Sequence, residues 1–384
     1  MRLATYNVEN LFERPRVMNL DTWADGKNIL EAYSKFSALI QELNYTDGMK
    51  NRMLGYLQDL EVLYLNSHGV LRLKRDPKWA CLNEFRGDFI SQPKDTTLPV
   101  QIVATGRSSW MGWVELKEEA VDEAATRNTA QVIIDTHPDL LGIVEAENRL
   151  TLLRFDADLI PASSRYSHIR LIEGNDPRGI DVGIMAKTGF EITAMKTHVD
   201  DLGPTGDRLF SRDCPEYEIL TPKGNTMWLL INHLKSRGYP GSRNPDDIRR
   251  EQAAGVRQIY DSLRANGNKY VAIIGDFNDS PNRGPLDPLL KSGSDLVDVS
   301  QHPQYQNDGI PGTFGPGNAD DKFDYILLSP DLFSGVMCAG IYRKGIYDKR
   351  KTPKWAMYPN MTVDNGHPER AASDHALLWA DIDV

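Results

Sequence analysis

The sequence predicts a mixed α/β fold, and three observations carry that prediction. Short apolar runs, Leu140–Val144 and Val271–Ile274 among them, have the length and β-branched content of buried strands. Segments whose apolar residues recur every 3.6 positions lie between such runs, as over 118–135 and 246–265. Apolar residues make up 40% of the chain, yet no run approaches the length of a membrane span.

Taken in order, Leu3–Val8 reads as the first strand. Asn7 and Glu9 lie two apart at its carboxyl end and so face the same way. Ile29, Leu30, Tyr33, Phe36, Leu39, Ile40 and Leu43 form one helical stripe, and Met49, Met53, Leu54, Leu57, Leu60 and Tyr64 a second. The two read as a helical hairpin joined around Asp47-Gly48. Next, Arg72, Lys74, Arg75, Lys78, Arg86, Lys94 and Arg107 are interleaved with Trp79, Phe85, Phe89, Trp110 and Trp113. That pattern suits either a solvated face over a small core or a cap that stacks bases and holds phosphates.

The helix over 118–135 leads into Leu140–Val144, which ends in Glu145 and is followed by Glu147 and Asn148. Tyr166–Ile172 and Val182–Ala186 read as adjacent strands around a loop flanked by Arg178 and Asp181. An Arg beside Gly at a site mouth can clamp a phosphate, or it can simply cap the loop. Phe190–Val199, Tyr217–Leu220 and Thr226–Leu234 continue the strands, and the last delivers His233, followed by Lys235 and Arg237. The helix over 246–265 has Pro245 near its start, Asn266-Gly267 at its end, and Arg249, Arg250 and Gln252 in its early turns.

It crosses to the stretch that organises the chain, Val271-Ala-Ile-Ile-Gly-Asp-Phe-Asn-Asp-Ser-Pro281. Gly275 lets the backbone approach a neighbour closely, and Asp276 and Asn278 point to one face. Such residues also close ordinary Asx turns, so this stretch alone does not decide between turn and site. Residues 281–320 have loop composition, Lys322–Leu328 is a strand holding Asp324, and 343–371 is a long basic loop. Ser373-Asp374-His375 precedes the last strand, Ala376–Asp381.

The chain has 384 residues, 44 Lys and Arg against 54 Asp and Glu, and a formal charge of −10. This balance argues mildly against a broad non-specific grip on duplex DNA but is compatible with a local basic groove. Three scattered cysteines give neither a disulfide framework nor a CxxC pair, and with the Leu3–Val8 strand so close to Met1 no signal segment is expected. A cytoplasmic location is the expectation. No His/Cys cluster has zinc-ligand spacing, and no Gly-x-Ser-x-Gly elbow accompanies Ser373.

Gly275-Asp276-Phe277-Asn278 resembles the signature of the endonuclease/exonuclease/phosphatase superfamily, the DNase I-like phosphoesterases. Further blocks occur in the family's order: Thr5–Asn10, Gly142–Glu145, Ile231–Ser236, Asp324–Leu328 and Ser373–His375. The resemblance implies a four-layer α/β/β/α sandwich of two mostly antiparallel sheets flanked by helices. It implies one domain over 1–384; residues 14–116 depart from the family's minimal pattern, and their apolar stripes lead us to expect a largely helical insertion after the first strand. The implied cofactor is Mg²⁺, for which Mn²⁺ can substitute. Glu145 is then the principal metal carboxylate, with Asn7, Glu9 and Asp374 completing or supporting the site.

The implied catalytic set is His233, Asp276, Asn278, Asp324 and His375, with Arg178 and Lys235 on the substrate side. Asp324 would fix the tautomer of His375, Asp276 would activate or orient water, and Asn278 would donate to phosphoryl oxygens. His233 would bind the phosphate or assist departure of the leaving oxygen. Which of Asp276 and the histidines acts as base stays open. Two substrate classes are expected: nucleic acid, cleaved by a Mg²⁺-dependent nuclease, or a small-molecule or lipid phosphoester of phosphoinositide or sphingomyelin type. A degenerate binding module is disfavoured because no expected catalytic position is missing. No obligatory protein partner is implied.

Overall fold

Apolar residues on alternate faces let two six-stranded sheets pack together in the computed structural model. It describes residues 1–11, 14–20, 23–119, 121–176, 179–237, 243–291, 293–347, 354–362 and 368–384. The first sheet runs in the order His168–Ile172, Asp181–Ala186, Leu140–Ala146, Arg2–Leu11, Leu377–Ile382, Val336–Tyr342. The second runs Glu191–Lys196, Glu216–Leu220, Thr226–His233, Tyr270–Asp276, Asp324–Leu328, Val297–Asp298. Each sheet has one parallel junction, Arg2–Leu11 with Leu140–Ala146 and Thr226–His233 with Tyr270–Asp276; the remaining pairings are antiparallel.

Leu3, Val144 and Ile184 of one sheet meet Ile231, Ile274 and Ile326 of the other in a common core. Outside the first sheet, Ala130, Ile133 and Phe155 cover Leu141 and Ile143. Outside the second, Val256, Tyr260 and Leu263 cover Leu230, Ile273 and Leu327. This is the expected four-layer α/β/β/α arrangement. Among the described residues, no helix is long and apolar enough to cross a membrane, and the three cysteines are free.

Local chemistry sets the helix ends. Asn244 accepts the N–H of Asp246 at 2.9 Å ahead of the Pro245–Ala265 helix, whose first turn holds Asp246 and Asp247 and whose last holds Arg264. The helix expected from 118 begins at Glu123, because Asp122 caps it through the Ala124 N–H at 2.7 Å, while Glu118–Glu119 is extended. The Val336–Tyr342 edge strand was not read from the sequence although it is a continuous apolar run; as an edge strand it buries only Val336, Ala339 and Gly340.

The chain divides into two compact units, residues 1–12 with 121–384, and residues 13–120. The second unit carries the expected helices as Trp23–Leu39 and Asp47–Asp59. Asp47-Gly48 is the first turn of the second helix rather than the joint, since Thr46 caps it by accepting the Met49 N–H at 3.3 Å. Short antiparallel ladders, the longest Ala80–Arg86 with Met111–Leu116, make this insertion mixed α/β rather than largely helical. Its core is aromatic: Phe89 lies 4.3 Å from Trp110 and 5.9 Å from Phe36, and Trp110 donates to the Tyr45 hydroxyl at 3.0 Å.

Candidate active site

Sheet register places the central residues in a row. His233 pairs with Asp276 across the parallel junction, and Asp276 pairs with Asp324 across the next. In the first sheet Asn7 pairs with Val144, after which both strands shift register, a bulge that falls on Glu145. Glu9, Glu145 and Asn278 adopt positive φ angles of 48°, 66° and 54°. Left-handed backbone at three non-glycine residues is costly, and its concentration at strand ends that carry acids and amides marks a functional site.

Hydrogen bonds join the two sheet ends. Asn7 Nδ2 donates to Asp276 Oδ2 at 3.2 Å, and Asn7 Oδ1 accepts the Glu9 N–H at 3.2 Å. Glu9 Oε2 accepts the Asp374 N–H at 2.7 Å. Ser373 Oγ donates to the Asn7 carbonyl at 2.7 Å and accepts the His375 N–H at 2.9 Å. His375 Nδ1 lies 2.8 Å from Asp324 Oδ2, and its Nε2 lies 3.7 Å from Asp276 Oδ2. His233 Nε2 stands 3.7 Å from the same Asp276 oxygen and 3.8 Å from Glu145 Oε1. Asp276 Oδ2 is therefore the meeting point of both imidazoles and of Asn7.

Burial governs the charges here. It pushes the Asp276 carboxyl up to about 7; Asp324 and Glu145 add to the rise, while His375 and the Asn278 N–H, 2.8 Å from Asp276 Oδ1, oppose it. For His375 burial works to lower the imidazolium, but Asp324 and Asp276 outweigh it and raise the group well above the usual histidine value. A protonated His375 between two carboxylates is the result.

Among the described residues, two groups could hold a metal ion, Glu145 with His233 and Asp276, and Asp276 with Asp324 and His375. The oxygen-rich donor set of Glu145, Asp276 and the Asn7 amide suits a hard divalent cation that keeps several waters. A buried acceptor, Asp324 Oδ1, also has no hydrogen-bond partner. These residues fit a divalent ion. When bound, such an ion supplies charge neutralisation at a phosphoryl oxygen and a nucleophilic water.

Of the residues singled out in the sequence, Asn7, Glu145, His233, Asp276, Asp324 and His375 converge directly. Glu9 and Asp374 join them through the backbone of Asp374. Asn278 is present, but its Nδ2 donates to the Leu234 carbonyl at 3.1 Å, so its amide braces the His233 strand end. Lys235 is held by its backbone, the N–H on Gln252 Oε1 at 2.7 Å and the carbonyl on Arg249 Nη1 at 2.6 Å. Arg178 lies outside the described residues, as do Lys349, Arg350 and Lys351 of the basic loop.

Two contributors stand outside the expected catalytic set. Thr313 Oγ1 accepts the N–H groups of Phe323 and Asp324 at 3.1 and 3.0 Å and so fixes where the Asp324 strand begins. Asp279, fully buried, accepts Arg249 Nε at 2.9 Å and Arg237 Nη2 at 2.7 Å. An additional Asp directly after Asn278, with several Arg nearby, was the available signal.

The model of the endonuclease/exonuclease/phosphatase family matches residues 102–309, which include Glu145, His233, Asp276 and Asn278. No curated protein matches the chain. Among solved structures, an endonuclease/exonuclease/phosphatase from Bacteroides vulgatus is similar at 15% identity and TM-score 0.49, over 68% of this chain and 91% of that one. A Bacteroides thetaiotaomicron mannosyl-6-phosphatase matches at 18% and 0.47, over 68% and 91%. The human nocturnin catalytic domain with bound sulfate matches at 16% and 0.48, over 69% and 88%. With more than half of its length matched by the family model, the chain belongs to the endonuclease/exonuclease/phosphatase family and is a phosphoesterase.

Proposed function

We propose that this phosphoesterase is a Mg²⁺-dependent nuclease that cleaves DNA or RNA by attack of water on a phosphodiester, with a cytoplasmic location part of the same reading. The observation that carries the phosphodiester chemistry is the Asp324–His375–Asp276–His233 row, closed by Glu145. A protonated His375 beside Asp324 donates to a phosphoryl oxygen and stabilises its charge. Asp276, at about 7, takes a proton from water near neutral pH. His233, between Glu145 and Asp276, is placed to bind the phosphate or protonate the leaving oxygen. Glu145, with Asn7, Glu9 and Asp374 completing or supporting the site, would hold Mg²⁺, or Mn²⁺ in its place, and Lys235 and Arg178 would lie on the substrate side.

A second observation supports a nucleic-acid substrate. Phe314, half-buried, stands 5.0 Å from the His375 ring and is stacked at 5.2 Å on Phe323, over which Arg237 lies at 4.7 Å. A planar base and a backbone phosphate both find partners on such a stack.

The test is hydrolysis of supercoiled plasmid and of labelled single- and double-stranded oligonucleotides, with Mg²⁺ or with EDTA, beside Glu145→Ala. Mg²⁺-dependent cleavage that falls about 10³-fold or more in Glu145→Ala is expected, since an ion contributes several kcal/mol at the phosphate. Intact nucleic acid alongside hydrolysis of a small-molecule or lipid phosphoester would sink the nuclease reading.

A further inference from the structure

The Pro245–Ala265 helix carries two buried polar side chains that the chemistry above does not use. Arg249 and Gln252 are 0% and 1% exposed, and three residues apart they share one helix face. Both grip Lys235, two residues past His233. Gln252 Oε1 accepts the Lys235 N–H at 2.7 Å, and Arg249 Nη1 donates to the Lys235 carbonyl at 2.6 Å.

Each also grips a second loop. Arg249 Nε donates to Asp279 Oδ2 at 2.9 Å, one residue past Asn278. Gln252 Nε2 donates to the Leu209 carbonyl and to Ser211 Oγ, both at 3.2 Å. Between the gripped points the two strand ends are sewn together, Leu234 N–H to the Asp276 carbonyl at 3.0 Å and Asn278 Nδ2 to the Leu234 carbonyl at 3.1 Å. The rest of this buried face is Ala253, Val256, Tyr260 and Leu263, which is what packing on a sheet requires. Burying a guanidinium and an amide among them carries a desolvation cost that only specific partners offset.

We infer that Arg249 and Gln252 are positioning residues that hold the His233 and Asp276 strand ends so that His233 Nε2 stands 3.7 Å from Asp276 Oδ2. They act through the backbone of Lys235 and the carboxylate of Asp279. The inference rests on the phosphoester chemistry assigned to that centre. A shift of about 1 Å in a catalytic pair can cost roughly 100-fold in rate, so a clamp of this kind shows in kcat.

The experiment compares Gln252→Met, Gln252→Glu and Arg249→Lys with the unaltered protein. It reads Mg²⁺-supported hydrolysis of bis(p-nitrophenyl) phosphate, thermal unfolding, and amide exchange over residues 233–236. Gln252→Met should lower kcat about 10- to 100-fold with KM within about twofold, and should speed exchange of the Lys235 amide. Gln252→Glu keeps the acceptor for that amide but loses the donor to the Leu209 carbonyl, so it should recover part of both losses and lie between Gln252→Met and the unaltered protein. Arg249→Lys should lower kcat in the same way; should it fail to fold, the Gln252 pair decides.

Unchanged kcat in Gln252→Met, or a loss that follows only the unfolded fraction, overturns the inference. If the unaltered protein hydrolyses no phosphoester, the reading of the site fails. The exchange rate then still judges the clamp, and a Lys235 amide equally protected in Gln252→Met overturns it.

Discussion

The two units use similar residues to opposite ends. In the unit that holds the site, buried polar side chains converge on one point, and Asp276 Oδ2 faces Asn7, His233 and His375. In residues 13–120, four of the cations interleaved with aromatics are spent on local partners. Arg72 donates to the carbonyls of Pro93, Asp95 and Leu98, Lys74 pairs with Glu61 at 2.7 Å, and Lys78 lies 4.0 Å over Trp79. Arg107 donates to the Gly112 carbonyl and sits 5.3 Å over Trp110. Basic and aromatic composition therefore does not itself mark a ligand site. What distinguishes one is convergence of titratable groups on strained backbone.

The comparison breaks most sharply at Gly275, whose φ of 133° suits glycine and where an added Cβ would stand 1.9 Å from the Asn232 carbonyl oxygen. That carbonyl belongs to the residue before His233, and no flexible side chain can yield in its place. Gly275→Ala should cost at least about 3 kcal/mol through strain and clash. Activity should vanish in parallel, because Asp276 follows directly. Exchange measured by segment should rise in the strands around His233 and Asp276 while the Phe36–Phe89–Trp110 core keeps its protection. Equal loss in both units would mean that they unfold together.

What could be read from the sequence divides along the same line. The strands that end in Glu145, His233 and Asp276 were legible because short apolar runs stop at a polar residue, a pattern that burial on both faces imposes. The His375–Asp324 pair joins positions 51 residues apart and became visible only through the family resemblance. The bracing roles of Thr313 and Asp279 were not read, since a hydroxyl that caps a strand and an acid that gathers arginines leave no periodic trace. In residues 13–120 the helices were found from their stripes, whereas most strands are two or three residues long and Met111–Leu116, though alternately buried, exposes Met111 and Trp113, so its polarity does not alternate.

His198 sharpens the contrast at a smaller scale, away from the catalytic row. Its buried ring meets Asp201 Oδ2 at 2.6 Å through Nδ1 and Glu216 Oε1 at 2.7 Å through Nε2, with Lys196 also on Glu216 and Asp213 on the His198 N–H. Burial works to lower its pKa, but Glu216 and Asp201 outweigh that and raise it. A raised folded value means that the stabilisation is fully present below the unfolded value of about 6.5 and is lost as pH rises through the folded one. His198→Gln should cost about 2–3 kcal/mol at pH 6 and flatten the fall in stability above it. Chemical denaturation at pH 6 and pH 9 reads this, and an unchanged pH slope in the variant would assign the slope to other groups.

The smallest effect belongs to the insertion. Lys74 and Glu61 are each about two-fifths exposed, so their ion pair is screened, and Arg75 is exposed outright. Replacing Lys74, Arg75 and Lys78 by Glu should therefore cost no more than about 1 kcal/mol of stability and leave hydrolysis of a small diester unchanged. If the insertion is a cap for polynucleotide, KM for an oligonucleotide should rise severalfold and the salt dependence of binding should flatten, because phosphate contacts release counterions. Unchanged kinetics on both substrates would retire the cap and leave these three cations as a solvated face.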